Sequence, residues 1–363
     1  MGDVVAVLGG GQLGRMLGLA GLPLGLGFRF LDPVAEAPAQ ALGPLVVGDL
    51  ADHDALSQVA DGAIVATYEW EGVPADAARF LESRGNTVLP PPVALDVAQD
   101  RLAEKTLFRR LGIATPDFTR VDDRGGLDDA VRAVGLPAVL KTRTGGYDGK
   151  GQRMLAAPHE VDRAWAELGG VPLILEQLVP FDREVSILAV RGRDRTTVCW
   201  PLVENVHRDG ILRTTRAPAP GTAGSLQSAA EVYAARVLDE LDYVGVLAIE
   251  LFQVGTDLVA NELAPRVHNS GHWTIEGAVT SQFENHLRAI LGWPLGSTAP
   301  IGVSAMVNCI GARPDTAAVL AVPGAHLHDY AKSSRPGRKI GHVTVIAGDE
   351  RELDTRLAML PAL

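Results

Sequence analysis

Short apolar runs alternate with stretches of helical periodicity through the first third of the chain. The runs are VVAVL at 4–8, FRFLD at 28–32, PLVV at 44–47, AIVAT at 63–67 and TVLP at 87–90. Buried runs of this length, separated by helices, are typical of βαβ units whose strands form a parallel sheet. The pattern predicts an N-terminal α/β domain over residues 1–95.

The pattern changes after a PPP segment that closes this sheet. One helical stretch at 93–112 leads away from it, and short, partly alternating apolar runs follow. They read LPAVLKT, PLILEQ, REVSILAV, TTVCWPLV, GVLAIELF and DLVANEL. Such runs indicate an α+β region built on antiparallel sheets. We predict a central domain over 96–298 and a small C-terminal domain over 299–363, with a helix near 315–321.

Composition narrows the class of protein. The 363 residues are 47% hydrophobic and 21% charged, which is ordinary for a chain that folds throughout. A formal net charge of −11 argues against general nucleic-acid binding, because that function needs a basic face. Cys199 and Cys309 stand far apart in apolar runs, so we expect buried free thiols. Without a signal-like start or an apolar run near about 20 residues, we expect a cytoplasmic protein with no membrane partner.

A first glycine loop follows the first apolar run. Gly9, Gly11 and Gly14 satisfy GxGxxG before a helix, and Asp32 ends the next strand. This context fits a dinucleotide site, so an NAD-linked oxidoreductase is one interpretation. The same turn presents backbone N–H groups at a helix N-terminus, which attract any phosphate. A merely tight structural turn is the third possibility, and the loop alone does not choose among them.

A second glycine loop, TGGYDGKGQ at 144–152, follows the strand AVLKT that carries Lys141. Its glycines would let the backbone fold over phosphates, while Lys141 and Lys150 supply positive charge. The spacing is not that of a P-loop, which reads GxxxxGK followed by Ser or Thr. A glycine-rich hairpin without a ligand is the alternative.

Carboxylates mark the strands that follow. Glu250 in VLAIELF and Glu262 in LVANELAPR occupy consecutive short strands, so a hairpin could aim both at one point. Two carboxylates and phosphate oxygens are what Mg²⁺ prefers. Glu176, at the end of an apolar run, could hold a nucleotide's amino or ribose group or be a rim carboxylate. The run RVHNSGH after Glu262 favours an anion site over a polar loop, and its candidate residues are Arg266, His268, Asn269 and His272.

With TGGYDGKGQ, HRDGILRTTRAPAP and NELAPRVHNSGHW in order, the chain closely resembles the N5-carboxyaminoimidazole ribonucleotide synthetases, ATP-grasp enzymes of purine biosynthesis. The resemblance runs from GGGQLGRM to RPGRKIGHV, nearly the whole chain. It implies a parallel-sheet pre-ATP-grasp domain, an ATP-grasp domain of two antiparallel α+β parts with a flap subdomain at about 115–180, and a small C-terminal domain. It also implies a homodimer that uses ATP, Mg²⁺ and bicarbonate to carboxylate aminoimidazole ribonucleotide through carboxyphosphate.

The resemblance also implies roles for individual residues. The ATP contacts are Arg101, Lys141, Gly146, Tyr147, Asp148, Gly149, Lys150, Gly151, Gln152, Glu176, Gln177, Leu178, Val179, Glu184, His207, Asn261 and Glu262. Glu250 and Glu262 would hold Mg²⁺. The bicarbonate and carboxyphosphate pocket would be Arg266, His268 and Asn269, with Tyr147, Asp148 and Lys150 approaching the ribonucleotide. The ribonucleotide contacts are Gly11, Gln12, Leu13, Glu71, Lys332 and Arg338.

The sequence departs from related carboxylases at Ala264, where many have an asparagine that binds Mg²⁺, so Asn261, water and phosphate oxygens would complete the metal shell. Lys150 stands where Arg is frequent, which keeps the charge and loses the bidentate geometry. In the family the first glycine loop serves the ribonucleotide, so we expect Gly9 to Leu13 to cradle its phosphate.

Four cations near the C-terminal end are Lys332, Arg335, Arg338 and Lys339. A solvated basic loop is one interpretation, and the other is that Lys332 and Arg338 reach across to the phosphate at the first loop. For the whole chain, the alternatives are another ATP-grasp ligase of purine metabolism of the formyl-phosphate type, the NAD-linked oxidoreductase, and a non-catalytic nucleotide sensor.

Overall fold

The computed structural model describes residues 2–146 and 150–363 as a mixed α/β protein. Its α-helices are α1 (Gln12–Gly21), α2 (His53–Ala60), α3 (Ala75–Ser83), α4 (Pro92–Gln99), α5 (Arg101–Arg110), α6 (Arg124–Val134), α7 (Val161–Leu168), α8 (Gly224–Glu240), α9 (Thr274–Gly277), α10 (Gln282–Leu291), α11 (Thr316–Leu320) and α12 (Glu350–Leu357). Its strands are β1 (Val4–Leu8), β2 (Gly27–Asp32), β3 (Leu45–Val47), β4 (Val65–Tyr68), β5 (Phe118–Val121), β6 (Ala138–Thr142), β7 (Gln152–Leu155), β8 (Leu173–Gln177), β9 (Arg183–Arg191), β10 (Thr197–Cys199), β11 (Val203–Arg208), β12 (Ile211–Ala217), β13 (Gly245–Val254), β14 (Asp257–Ala264), β15 (Val303–Ile310), β16 (Ala325–Asp329) and β17 (Lys339–Ala347).

The N-terminal sheet is parallel, in the order β3-β2-β1-β4, as the apolar runs predict. Its central strand β1 is almost wholly buried, because helices cover both faces of such a sheet. The strand predicted at 87–90 is wrong: only Val88 forms an isolated bridge, to Ala66. Proline has no backbone N–H to donate, so Pro90 and the prolines after it end the pairing.

The prediction of one continuous helical stretch over 93–112 is also wrong, because the structure has two helices there, α4 and α5. Asp100 lies between α4 and α5 with an extended backbone, and its carboxylate accepts the N–H of Leu102 at 2.9 Å. An aspartate in this role caps the second helix. Arg143 forms an ion pair with the same carboxylate, which ties the break to the end of β6.

Two antiparallel sheets make up the rest of the structure, which confirms the predicted fold class. The smaller has the order β5-β8-β6-β7. The larger has the order β14-β13-β9-β11-β12-β15-β17-β16, with β10 added on β9. This larger sheet contains strands from both sides of the domain boundary predicted at residue 299. The strand β12, before the boundary, pairs with β15, after it, through Arg216 and Ala305.

One hydrophobic cluster joins the N-terminal sheet to the large sheet. It contains Phe28 and Phe30 from β2, Leu188 from β9, the fully buried Trp200, and Leu287 from α10. One face of the parallel sheet is thereby packed into the same core as the large sheet. Both cysteines are free, with Cys309 buried and Cys199 partly so. Within the described ranges, no helix has both the length and the apolarity to cross a membrane.

Candidate active site

The β13–β14 hairpin carries the two predicted metal-binding carboxylates. Its register puts Glu250 directly opposite Glu262, so both side chains project from the same face. Burial and the charge of Glu262 raise the pKa of Glu250 to about 8. A divalent cation would relieve this repulsion, and oxygen ligands of this kind suit Mg²⁺.

The donor set fits a cation that is shared with a nucleotide. Across the described part of the chain, no group of three His, Cys, Asp or Glu side chains is arranged to hold a metal alone. Mg²⁺ commonly uses one or two carboxylates and completes its shell with water and substrate phosphates. Glu250 and Glu262 supply that number of carboxylates.

Beside the carboxylates lies a histidine with a partner of its own. His207 Nδ1 is 2.5 Å from Glu184 Oε2, across the pairing of β9 and β11. Burial lowers the pKa of His207, but the hydrogen bond and charge of Glu184 and the charges of Glu250 and Glu262 outweigh it and raise the pKa. These carboxylates therefore favour the cationic form of the ring, which lies beside the carboxylate pair and can contact a phosphate.

A second charged group lies at the strand ends of the small sheet. Lys141 Nζ donates to Glu176 Oε2 at 2.9 Å, and Lys105 Nζ is 3.7 Å from the same oxygen. Lys105 is 1% exposed and also donates to the carbonyl of Asn261 on β14. It therefore connects the small sheet to the large one. Glu176 Oε1 is buried and accepts no hydrogen bond from any described residue, so it can accept one from a bound nucleotide.

The start of the second glycine loop (144–152) is anchored by Arg101, at the start of α5. Its guanidinium donates to the carbonyls of Thr142 at 2.7 Å and Gly146 at 3.0 Å. Gln152 pairs with Lys141 across β6 and β7, so both ends of the glycine loop are fixed. The predicted site residues Tyr147, Asp148 and Gly149 lie outside the described residues. The other segment predicted to contact ATP begins with Glu176 near the end of β8 and continues through Gln177, Leu178 and Val179.

The predicted bicarbonate and ribonucleotide residues meet at one ion pair. Arg266 Nε donates to the carboxylate of Glu71, and Arg266 Nη1 donates to the carbonyl of Val267 at 2.9 Å. The Arg266 side chain is only 13% exposed. Burial raises the pKa of Glu71, but the charge and hydrogen bond of Arg266 outweigh it and lower the pKa.

The two polar residues after Arg266 behave differently. His268 is buried, with Nδ1 2.9 Å from Ser270 Oγ and Nε2 3.5 Å from Glu250 Oε1. Burial and the charge of Arg266 lower its pKa well below the ordinary value, so the ring is neutral. Asn269 exchanges two amide hydrogen bonds, of 2.8 and 3.1 Å, with Asn308 on β15. The side chain of Asn269 is thus engaged with β15.

The first glycine loop requires a correction. Its N–H groups are already in use, since Gly9 donates to the Leu31 carbonyl, Gly10 to Asp32 Oδ2 and Gly11 to Glu69 Oε1, each at 2.8 Å. The expectation that Gly9 to Gly11 cradle a phosphate is therefore wrong. The same carboxylates occupy the donors that a dinucleotide pyrophosphate would need. Gln12 and Leu13 begin helix α1, where backbone N–H groups lack partners within the helix.

The two C-terminal cations are placed differently with respect to this loop. Lys332 Nζ donates to Gln12 Oε1, which joins the last part of the chain to the first. Arg338 is partly exposed and donates to Ser333, at 2.8 Å from its Oγ. The structure thus brings Lys332 to the predicted phosphate site and leaves Arg338 beside it on the same segment.

Models of three protein domains match consecutive parts of the chain. They are described as the ribonucleotide synthetase preATP-grasp domain at residues 2–99, the ATP-grasp domain at 106–283 and the phosphoribosylaminoimidazole carboxylase C-terminal domain at 304–356. An N5-carboxyaminoimidazole ribonucleotide synthase of Pseudomonas aeruginosa is 55% identical over 359 residues, covering 99% of both chains. That of Vibrio cholerae is 42% identical, covering 98% of this chain and 94% of its own.

The chain belongs to the N5-carboxyaminoimidazole ribonucleotide synthase family. The crystal structure of the Thermus thermophilus synthetase agrees with a TM-score of 0.95 at 57% identity, covering 99% of each chain. A synthase of Aspergillus clavatus, crystallised with ADP and 5-aminoimidazole ribonucleotide, has a TM-score of 0.92 at 32% identity, covering 98% of this chain and 96% of that one. The predicted family, fold and enzyme class are confirmed: the protein is an ATP-dependent carboxylating ligase that makes N5-carboxyaminoimidazole ribonucleotide.

In this synthase, sequence reasoning missed three buried charged residues near the site. Glu104 and Lys105 follow each other on α5, and Glu69 follows β4. Helical periodicity could have found the first two. Glu104 lies three residues before Leu107, and Lys105 lies three residues before Phe108, so both are on the buried face of the helix. Nothing local marks Glu69, because its partners lie 55 and 58 residues away.

Glu104 yields a testable pH dependence of stability. It accepts the N–H of Leu263 at 2.5 Å, and burial with the charge of Glu262 raises its pKa to about 8, against the opposing charge of Lys105. The stabilisation from holding the proton is complete below the unfolded value near 4.5 and is lost as pH rises through about 8. Relative to Glu104→Gln, wild type should lose up to about 1.4 kcal/mol of unfolding free energy per pH unit within this window.

Urea unfolding of both proteins without nucleotide, at several pH values between the unfolded pKa near 4.5 and the folded pKa of about 8, measures this difference. Glu82→Gln, at an exposed glutamate of α3, is the matched control and should run parallel to wild type. A Glu104→Gln curve that also runs parallel would rule out a raised pKa of Glu104 in the folded protein.

Proposed function

We propose that the reaction proceeds from ATP, bicarbonate and aminoimidazole ribonucleotide through carboxyphosphate. The observation that supports this most is the ion pair of Arg266 and Glu71, because it joins the predicted bicarbonate and ribonucleotide residues. Two residues after Arg266, His268 lies 3.5 Å from Glu250, and two residues before Glu71, Glu69 bonds the glycine loop whose next residue, Gln12, contacts Lys332. Both reactants can then bind next to the nucleotide phosphates.

The first step is attack of a bicarbonate oxygen on the γ-phosphorus of ATP, which releases ADP and forms carboxyphosphate. Lys141 and the imidazole of His207 can balance phosphate charge, and Arg266 can place bicarbonate in line. Glu250 and Glu262 would hold Mg²⁺, which would supply positive charge to neutralise the charge that develops on the phosphate oxygens. The second glycine loop (144–152), which Arg101 anchors at its start and Gln152 ends, would close over the phosphates and exclude water.

The second step joins carbon to nitrogen. The exocyclic amine of aminoimidazole ribonucleotide attacks the carboxyl carbon of carboxyphosphate, or the carbon dioxide it releases. Inorganic phosphate departs, and the nitrogen loses a proton. Glu71 is a predicted ribonucleotide contact, and its carboxylate can accept a hydrogen bond from the amine or the ring while it remains paired with Arg266.

Release of ADP that requires both bicarbonate and the ribonucleotide is the decisive assay. We expect no ADP above background when either is omitted, and a product heavier by one carboxyl group when both are present. Formate in place of bicarbonate should not support turnover. ADP formation with formate and a formylated product would favour the formyl-phosphate chemistry.

Removal of Lys332 should weaken ribonucleotide binding selectively. One charge-assisted contact to a phosphate is worth roughly 1.5 to 3 kcal/mol, so Lys332→Ala should raise the apparent KM for the ribonucleotide by about 10- to 100-fold. The KM for ATP should change little. Arg338→Ala tests the second cation in the same assay, and Arg335→Ala at a fully exposed position of the segment is the control. A change in the KM for ATP alone would favour the other interpretation, in which Lys332 and Arg338 belong to a solvated basic loop.

We also propose a homodimer, which rests on the sequence resemblance alone, and a cytoplasmic location, as the sequence analysis predicts. Size-exclusion chromatography with light scattering should give a molecular mass twice that of one chain, which is 38.3 kDa. A mass that stays at one chain across the working concentration range would overturn this proposal.

A further inference from the structure

The carboxylate of Glu69 occupies the anion-binding position of the first glycine loop. Glu69 follows β4 directly and is 8% exposed. Its Oε1 accepts the N–H of Gly11 at 2.8 Å, and its Oε2 accepts the N–H of Gly14 at 2.9 Å. Backbone N–H groups at a helix N-terminus are the donors that bind phosphate in nucleotide-binding folds. Here an acidic side chain of the protein takes both of them.

The glycines of the motif are fitted to this side chain. A Cβ on Gly9 would lie 2.6 Å from Glu69 Cγ, and a Cβ on Gly11 would lie 2.4 Å from Glu69 Oε1. Gly9 also has a φ of 101°, which disfavours any residue with a side chain. The spacing that resembles a dinucleotide motif therefore makes room for a carboxylate.

Glu69 also connects two parts of the site. Two residues further on, Glu71 pairs with Arg266. The residue after Gly11 is Gln12, which accepts the hydrogen bond from Lys332. The chain from Glu69 to Glu71 is thus fixed to the glycine loop at one end and to Arg266 at the other. A shift of Glu69 would move the Gln12 and Lys332 contact relative to Arg266.

We propose that Glu69 is a positioning residue for the ribonucleotide. Its carboxylate holds the loop closed by accepting the N–H groups of Gly11 and Gly14, which keeps phosphate from these two donors and leaves Gln12, Leu13 and Lys332 to receive the phosphate of the substrate. This proposal rests on the proposed placement of the ribonucleotide. The loop cannot bind a dinucleotide while Glu69 fills it.

The positioning role of Glu69 can be tested by removing its carboxylate and then adding a small carboxylate to the solution. Glu69→Ala should raise the apparent KM for the ribonucleotide at least about tenfold, the loss of one or more charge-assisted hydrogen bonds, with kcat at saturation and the KM for ATP within about threefold of wild type. Acetate should restore the KM in a saturable manner, because it can accept the same two N–H groups. Sodium chloride at equal ionic strength should not restore it.

A measurement without substrates separates this inference from the proposed function. Acetate should raise the melting temperature of Glu69→Ala and leave wild type and Glu82→Ala unchanged, whichever substrate the enzyme uses. Glu69→Gln, which keeps the shape and can accept only one of the two N–H bonds, provides a second variant if Glu69→Ala does not fold, and its ribonucleotide KM should rise without acetate rescue. An unchanged ribonucleotide KM in a folded variant, or a loss of kcat that acetate does not repair, would overturn the proposal.

Discussion

Glu262→Gln should abolish turnover and leave the fold intact. The exchange keeps the shape of the side chain and removes one of two charges that face each other across β13 and β14. Stabilising phosphoryl charge through a bound metal is worth several kcal/mol, so ADP formation should fall by about 10³-fold or more. Since Glu262 lies on the exposed side of the pair, its loss should cost little stability.

The assay is ADP release with all substrates over a range of Mg²⁺ concentrations, with circular dichroism as the check on folding. Glu240→Gln, which removes an exposed partner of Arg110 at the end of α8, is the matched control and should retain wild-type rates. Near-normal turnover of Glu262→Gln at low Mg²⁺ would show that the hairpin does not hold the metal.

The sheets were predictable from local patterns where each strand carries its own signal. Apolar runs mark β1 and β13, and side-chain alternation gives the common face of Glu250 and Glu262. The β11–β12 hairpin was missed because its strands are polar, VENVHR and ILRTTRA. A local signal was present all the same: Asp209 and Gly210 form the turn, both with positive φ, as the sequence DG favours.

Features that depend on distant partners could not be read from local sequence. The break at Asp100 is stabilised by Arg143, which lies 43 residues further along, while the helical periodicity continues across it. The filling of the glycine loop depends on Glu69, and the GxGxxG spacing is the same with or without that carboxylate. The contact between Lys332 and Gln12 spans 320 residues and was expected only through the family resemblance.

The structure also changes what the glycine motif means for substrate choice. With Asp32 and Glu69 bonded to the loop, the N-terminal sheet presents its carboxyl edge through side chains and the first turn of α1. A phosphate therefore finds the N–H groups of Gly10, Gly11 and Gly14 already bonded. This occupancy supports the proposed placement of ATP at the other site, near Lys141, Glu176 and His207.

Arg266→Lys should lose bicarbonate-dependent activity and keep ATP binding. A guanidinium offers a planar fork that can bond Glu71 and still present N–H groups to bicarbonate, whereas an ammonium is a single point charge. Arg266 already uses Nε for Glu71 and Nη1 for Val267, so the shorter lysine can satisfy Glu71 only by giving up the anion. Loss of one or two charge-assisted contacts predicts a fall in turnover of about 10²-fold.

The buried charge that remains should preserve the pairing with Glu71, and with it the fold. Equilibrium binding of ATP should therefore match wild type, and the ADP formed without bicarbonate should stay at background. Arg110→Lys, a conservative exchange in the exposed pair with Glu240, is the control for general effects of the substitution. If ATP affinity collapses while the residual turnover saturates normally with bicarbonate, Arg266 belongs to the nucleotide site, and the bicarbonate pocket must lie elsewhere on the β14 side of the cleft.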